Sequence, residues 1–103
     1  MSIKHLTFDA SVSIAFGSIT NTYADLLALT DDIDLLFLFN TTDVAILLNI
    51  PNGANSRKDF RMPAGSSVAI DCRTNSKRIA KGTIQVKYVS APTSGEVTVT
   101  GCR

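Results

Sequence analysis

Residues 5–16 read HLTFDASVSIAF: Leu6, Phe8, Ala10, Val12, Ile14 and Phe16 are apolar and alternate with His5, Thr7, Asp9, Ser11, Ser13 and Ala15. A two-residue period is the mark of a strand with one buried face, because successive side chains leave an extended backbone on opposite sides. The stretch is predicted to be one long strand, or two strands meeting at a bend. The same period returns at Val68, Ile70 and Cys72, at Ile84, Val86 and Tyr88, and at Val97 and Val99. Leu35 to Phe39 and Val44 to Ile50 are unbroken apolar runs separated by Asn40, Thr41, Thr42 and Asp43, as expected of central strands joined by a tight turn. The final two strands, with Pro92 and Gly95 between them, read as a hairpin.

Turn-forming residues punctuate these strands: Gly17, NTTD at 40–43, PNGANS at 51–56, MPAG at 62–65, RTNSKR at 73–78 and Lys81-Gly82. Such spacing favours a sandwich or barrel over alternating strands and helices, which need ten or more residues of helical period between strands. One segment competes: Tyr23 to Thr30, YADLLALT, reads either as a short helix or as an irregular strand crossing between sheets. With no repeat, linker or low-complexity tract, the expectation is one antiparallel β-sandwich domain over residues 1–103. It should be jelly-roll or Greek-key-like, with seven to nine short strands and little helix.

The 103 residues are 45% hydrophobic and only 18% charged, with ten Lys and Arg against nine Asp and Glu, a net charge of +1. A near-neutral chain has no long-range field to gather nucleic acid or anionic membrane. Its uncharged, Ser- and Thr-rich surface suits a protein packed against others. The beginning, MSIKHLTFDASV, lacks a basic segment followed by an apolar run, so no secretory signal is expected and the protein should stay in the cytoplasm until assembly. No apolar run approaches the roughly 20 residues of a membrane-spanning helix. Cys72 and Cys102 are too few for a disulfide scaffold and too far apart for a metal-binding pair. Cys72 is read as a core thiol and not as the partner of Cys102.

Chemistry is mostly absent from the sequence. His5 is the sole histidine, which excludes a metal site of several imidazoles within one chain. Gly53, Gly65, Gly82, Gly95 and Gly101 stand singly at turns and form no phosphate-binding loop. Asp31, Asp32 and Asp34 in TDDID could attract a hard cation, but no coordinating loop follows, and a solvated turn is the simpler reading. Arg57, Lys58, Arg61, Arg73, Lys77, Arg78 and Lys81 give a basic middle third with only Phe60 and Tyr88 near for base stacking, so nucleic acid is not expected as a partner. The sequon Asn40-Thr41-Thr42 means little in a chain without a secretion signal. The expectation is no enzyme, no cofactor, and no catalytic, cofactor-binding or metal residues. A stand-alone sugar-binding sandwich is disfavoured because it would present several aromatics, and the chain has no Trp and two Tyr.

FNTTDVAILLNIPNG (39–53), FRMPAGSSVAIDC (60–72) and KGTIQVKYVSAPTSGEVTVTG (81–101) form an ordered set of corners. Together they resemble small β-sandwich virion proteins of tailed bacteriophages: an Asn/Thr/Asp turn, a strand pair around an NG loop, an LPAGSS-like corner and a closing hairpin. The resemblance covers roughly residues 35–101 and does not extend to the N-terminal third. It implies a capsid decoration or cement protein bound to the major capsid protein lattice in the virion, or a neck or tail accessory protein. It also implies a homo-oligomer, since a decoration subunit gains avidity from self-association. An edge strand near Ile3, or one ending near Arg103, is expected to add to a neighbour's sheet.

Overall fold

A computed structural model describes residues 8–51, 53, 56–72 and 78–102, with backbone alone for 8–10. His5, Leu6, Arg73, Lys77 and Arg103 lie outside the described residues. Eight strands are present: β1 Phe8–Ala15, β2 Ala24–Leu29, β3 Leu35–Asn40, β4 Ile46–Ile50, β5 Arg57–Met62, β6 Ser67–Asp71, β7 Gly82–Tyr88 and β8 Glu96–Cys102, with one 3₁₀ turn at Phe16–Ser18. The segment 23–30, open between helix and strand, is strand β2 with a bulge at Leu26, where two β2 steps meet one on β7. Its spaced leucines follow neither period cleanly because that extra residue shifts the faces midway.

Two antiparallel four-stranded sheets stack face to face, sheet A in the order β1-β8-β3-β6 and sheet B in the order β2-β7-β4-β5. Only β4 and β5 are consecutive strands within one sheet; every other connection crosses from one sheet to the other. This winding is a jelly roll. It corrects two local expectations. The runs around Asn40–Asp43 are central strands, but β3 lies in sheet A and β4 in sheet B, so the connection is an inter-sheet corner and not a tight turn within a sheet. Likewise β7 and β8 are not a hairpin: β7 pairs with β2 and β4, and β8 with β1 and β3. Alternation records which face of a strand is buried and says nothing of which strand lies beside it.

The core is the inner rows of both sheets: Leu36, Leu38, Ile70, Val97 and Val99 from sheet A against Leu29, Ile46, Leu48, Ile50, Met62, Ile84 and Val86 from sheet B. Each such side chain taken from water contributes about 1.5–3 kcal/mol. Ile33 and Ile79, joined by an isolated bridge, close one end, and Ile19 packs into the same cluster.

The corner after β3 is built on Asn40, which is fully buried. Its Nδ2 donates toward the carbonyls of Val44 (3.0 Å), Met62 (3.0 Å) and Pro63 (3.1 Å), and its Oδ1 accepts from the Thr42 amide (3.0 Å) and hydroxyl (2.6 Å). The next corner docks on it: Thr41 and Glu96 exchange hydrogen bonds, and the Thr93 amide and hydroxyl both donate to the Asp43 carboxylate, holding Asp43 below the usual carboxylate range. With Asn40 enclosed and its amide committed, the sequon cannot accept a glycan in the folded protein.

Candidate interaction surface

The outer face of sheet A is organised in rows that run across all four strands. One row is Ser11–Thr100–Phe37–Ala69 and the next is Ser13–Thr98–Phe39–Ser67. Neither row carries a charge. Cross-strand hydroxyls bond at 2.8 Å in both rows, Ser11 to Thr100 and Ser13 to Thr98, and the Phe37 and Phe39 rings stack at 6.3 Å. Phe39 is 40% exposed, an aromatic that the unbroken run LLFLF gave no means of placing outside.

Sheet B presents the opposite surface. Gln85 donates to Asp25 (3.0 Å) and accepts from Asn49 (3.3 Å), so three strands are tied by a polar row. The Tyr23 hydroxyl, beside β2, donates at 2.6 Å to Asp59 on β5, and Lys87 sits 4.6 Å from the Tyr23 ring centroid. Partial burial, then the Asp59 carboxylate, push the Tyr23 phenol up to about 12. The folded-state value lies above the ordinary 10, so this contact supports folding fully below pH 10 and is lost as pH rises toward 12. Absorbance titration should therefore show one tyrosine ionising near pH 12, and Asp59→Asn should bring it down; a Tyr23 titration at the ordinary value would break the assignment.

The strand edges differ in the same sense. In sheet B both edges are bulged, β2 at Leu26 and β5 at Lys58–Asp59, where Asp59 takes φ 54°. Bulges and edge charges such as Arg57, Lys58 and Arg61 are the devices that keep a sheet from pairing with another chain. In sheet A, β6 is regular throughout, with its one charge, Asp71, at its last residue, and β1 has a bulge between Phe8 and Ala10 but is regular from Ala10 to Ala15. The expected edge near Ile3 lies outside the described residues, though β1 beyond it is an edge. The expected edge ending near Arg103 is corrected: β8 is central, flanked by β1 and β3.

TDDID is only partly a solvated turn. Asp31 and Asp32 are exposed, but the Asp34 side chain is 5% exposed and accepts from Arg78 Nε at 2.9 Å. Asp32 accepts from the Lys81 amide at 2.9 Å. Asp31, Asp32, Arg78 and Lys81 line an open polar cleft of about 270 Å³ whose opposite charges offset one another. Among the described residues no group of three or more His, Cys, Asp or Glu is placed to hold a metal ion. The basic residues divide between the β5 edge (Arg57, Lys58, Arg61) and this cleft (Arg78, Lys81). Phe60 lies under the Arg57 guanidinium at 5.8 Å, and both Phe60 and Tyr88 pack against the core, so neither offers an open stacking platform.

Neither cysteine is in a disulfide. Leu35 pairs with Asp71 on one side and Cys102 on the other. Strands spaced by about 4.8 Å put the backbone at Asp71 and Cys102 on the order of 10 Å apart, beyond the ~7 Å limit for a disulfide, and Cys72 is one residue further on. Cys102 is the last residue of β8, seated opposite Leu35 on the outer side of sheet A and half-buried. Burial, followed by the carboxylates of Asp71 and Asp34, raises the pKa of the enclosed Cys72 thiol. Reductant should leave the melting temperature of the dispersed protein unchanged, whereas Cys72→Ser should cost about 1–3 kcal/mol. A fall in stability with reductant, reproduced by Cys102→Ser, would contradict this pairing scheme.

No protein-family model matches the chain, and no curated protein matches it. Among solved structures, a protein of Bacillus endospore appendages, described as a novel family of disulfide-linked pili, has a TM-score of 0.54 and 16% identity over 98% of this chain and 89% of its own. That likeness extends to the fold, an antiparallel β-sandwich. A protein from Lactobacillus plantarum gives a TM-score of 0.37 at 12% identity, over 95% of this chain and 34% of its own, so the chain spans about a third of that protein. Among the described residues no helix is long and apolar enough to cross a membrane.

Proposed function

We propose that this chain is a non-enzymatic structural subunit that assembles with further copies of itself into an ordered array through sheet A. The observation that carries the reading is the contrast between the two sheets: on sheet A two uncharged outer rows, a regular β6 edge and a β1 edge regular from Ala10 onward; on sheet B a charged face and two edges bulged in mid-strand. A surface of small hydroxyls and stacked aromatics loses little on desolvation, whereas charged groups on sheet B favour water. One fold neighbour is a protein of disulfide-linked pili, and in this chain Cys102 is the half-buried thiol on the outer side of sheet A.

A second reading is favoured by the corner motifs FNTTD, MPAGSS and APTSG: a capsid decoration or neck or tail protein of a virion, bound to the major capsid protein or another virion component. Sedimentation velocity over a wide concentration range, with negative-stain electron microscopy, tests both. Multimers or fibres growing with concentration are expected. A monomer that instead co-sediments with empty phage shells would favour the virion reading, and one that does neither would overturn both.

A further inference from the structure

From the sheet topology we infer a specific joint between copies: the β6 edge of one subunit pairs antiparallel with the β1 edge of the next, head to tail, making sheet A continuous. This deepens the reading of the chain as a self-assembling subunit and rests on it. Strand direction alternates across β1-β8-β3-β6, so β1 and β6 run oppositely. A second copy displaced sideways without rotation therefore sets its β1 antiparallel to the first copy's β6, continuing the ladder.

The rows continue as well. Ala69 comes level with Ser11 of the next copy and Ser67 with Ser13 on the outer face, all exposed, small and uncharged. On the inner face Val68 comes level with Val12; both are only half-buried in the single subunit, and each is the cover the other lacks.

The flanking charges choose between two ways of pairing. β1 lies against β2 along one side of the sandwich, and β5 and β6, joined by the MPAG corner, lie along the other. Head-to-tail displacement brings Asp25 of one copy toward the β5 edge of its neighbour, where Lys58 and Arg61 flank the Asp59 carboxylate and leave the edge net positive. A two-fold β1–β1 pairing would instead bring the two β2 edges together, each carrying Asp25 and neither a cation. Complementary charge beside a ladder fixes register and suppresses the wrong pairing. A heterologous joint of this kind propagates into rings or filaments and does not stop at a dimer.

The experiment uses the full chain with Cys102→Ser and two added substitutions, Ser11→Cys and Ala69→Cys, oxidised with copper-phenanthroline and run on a non-reducing gel. The joint gives a ladder of linked multimers from the double variant and none from either single variant. Covalent dimers from Ser11→Cys alone would show two-fold β1 pairing and overturn the joint. Assembly by sedimentation without a ladder would also overturn it while leaving the self-assembly reading intact; no assembly at all would sink that reading itself. A second test avoids the strands: Arg61→Asp should raise the concentration needed for assembly about tenfold at low salt, and Asp25→Arg added to it should restore assembly. Absence of rescue would count against the joint.

Discussion

Replacing Asn40 with leucine destabilises the fold by about 3–5 kcal/mol, although leucine repeats the branched outline of asparagine and the site is fully enclosed. The bulkier apolar group crowds the enclosed site, the Thr42 amide and hydroxyl lose their acceptor, and the carbonyls of Val44, Met62 and Pro63 lose a donor. Water cannot replace these partners inside the corner, so much of each group's desolvation cost appears in the unfolding free energy. With total stability in the range of about 5–15 kcal/mol for a domain, such a loss removes a third or more. Urea denaturation measures it, with Ser13→Ala on the exposed face as a control expected to stay within about 0.5 kcal/mol. A loss below about 1 kcal/mol would mean that Asn40 does not organise the β3–β4 corner.

Gly95→Ala is the second large effect, at about 3 kcal/mol or more. Gly95 has φ +86°, and an added Cβ would lie 2.2 Å from the Thr41 carbonyl oxygen, 2.6 Å from its carbon and 2.7 Å from the Thr42 Cα. All three are backbone atoms of the corner anchored by Asn40, so none can rotate away. The β7–β8 connection must lift, breaking the Thr41–Glu96 exchange and the Thr93–Asp43 contacts. Gly65→Ala separates strain from crowding: φ is +72° there, but nothing lies within 4 Å. It should cost only about 1–2 kcal/mol, the price of a left-handed alanine. Equal losses at the two glycines would refute the close approach.

The strands themselves were legible because alternation is a local property: Val12 and Ile14, Val68 and Ile70, Ile84 and Val86, Val97 and Val99 all turn inward as their spacing implies. Pairing was not legible. The NTTD and APTSG corners look like turns within a sheet, and only Asn40, whose burial no local pattern announces, shows that the chain changes sheets there. For the same reason LLFLF could not say that Phe37 and Phe39 face outward, since an apolar run has no odd and even members to tell apart. The Tyr23–Asp59 contact joins residues 36 apart across a curved face and leaves no trace in either segment. TDDID was legible as a charged turn, but Arg78 had to arrive from 44 residues away before the enclosed Asp34 carboxylate gained its half-exposed partner.

The central claim, that copies meet through sheet A, is tested most directly by amide hydrogen exchange measured on dilute and on concentrated protein. Protection should rise with concentration at the two edges of sheet A, Ala10–Ala15 in β1 and Ser67–Asp71 in β6, because their outward amides gain partners only in the assembly. Amides of the bulged edges β2 and β5 should exchange at the same rate throughout. Protection gained on β2 and β5 instead, or no change anywhere in a sample that has assembled, would contradict the account.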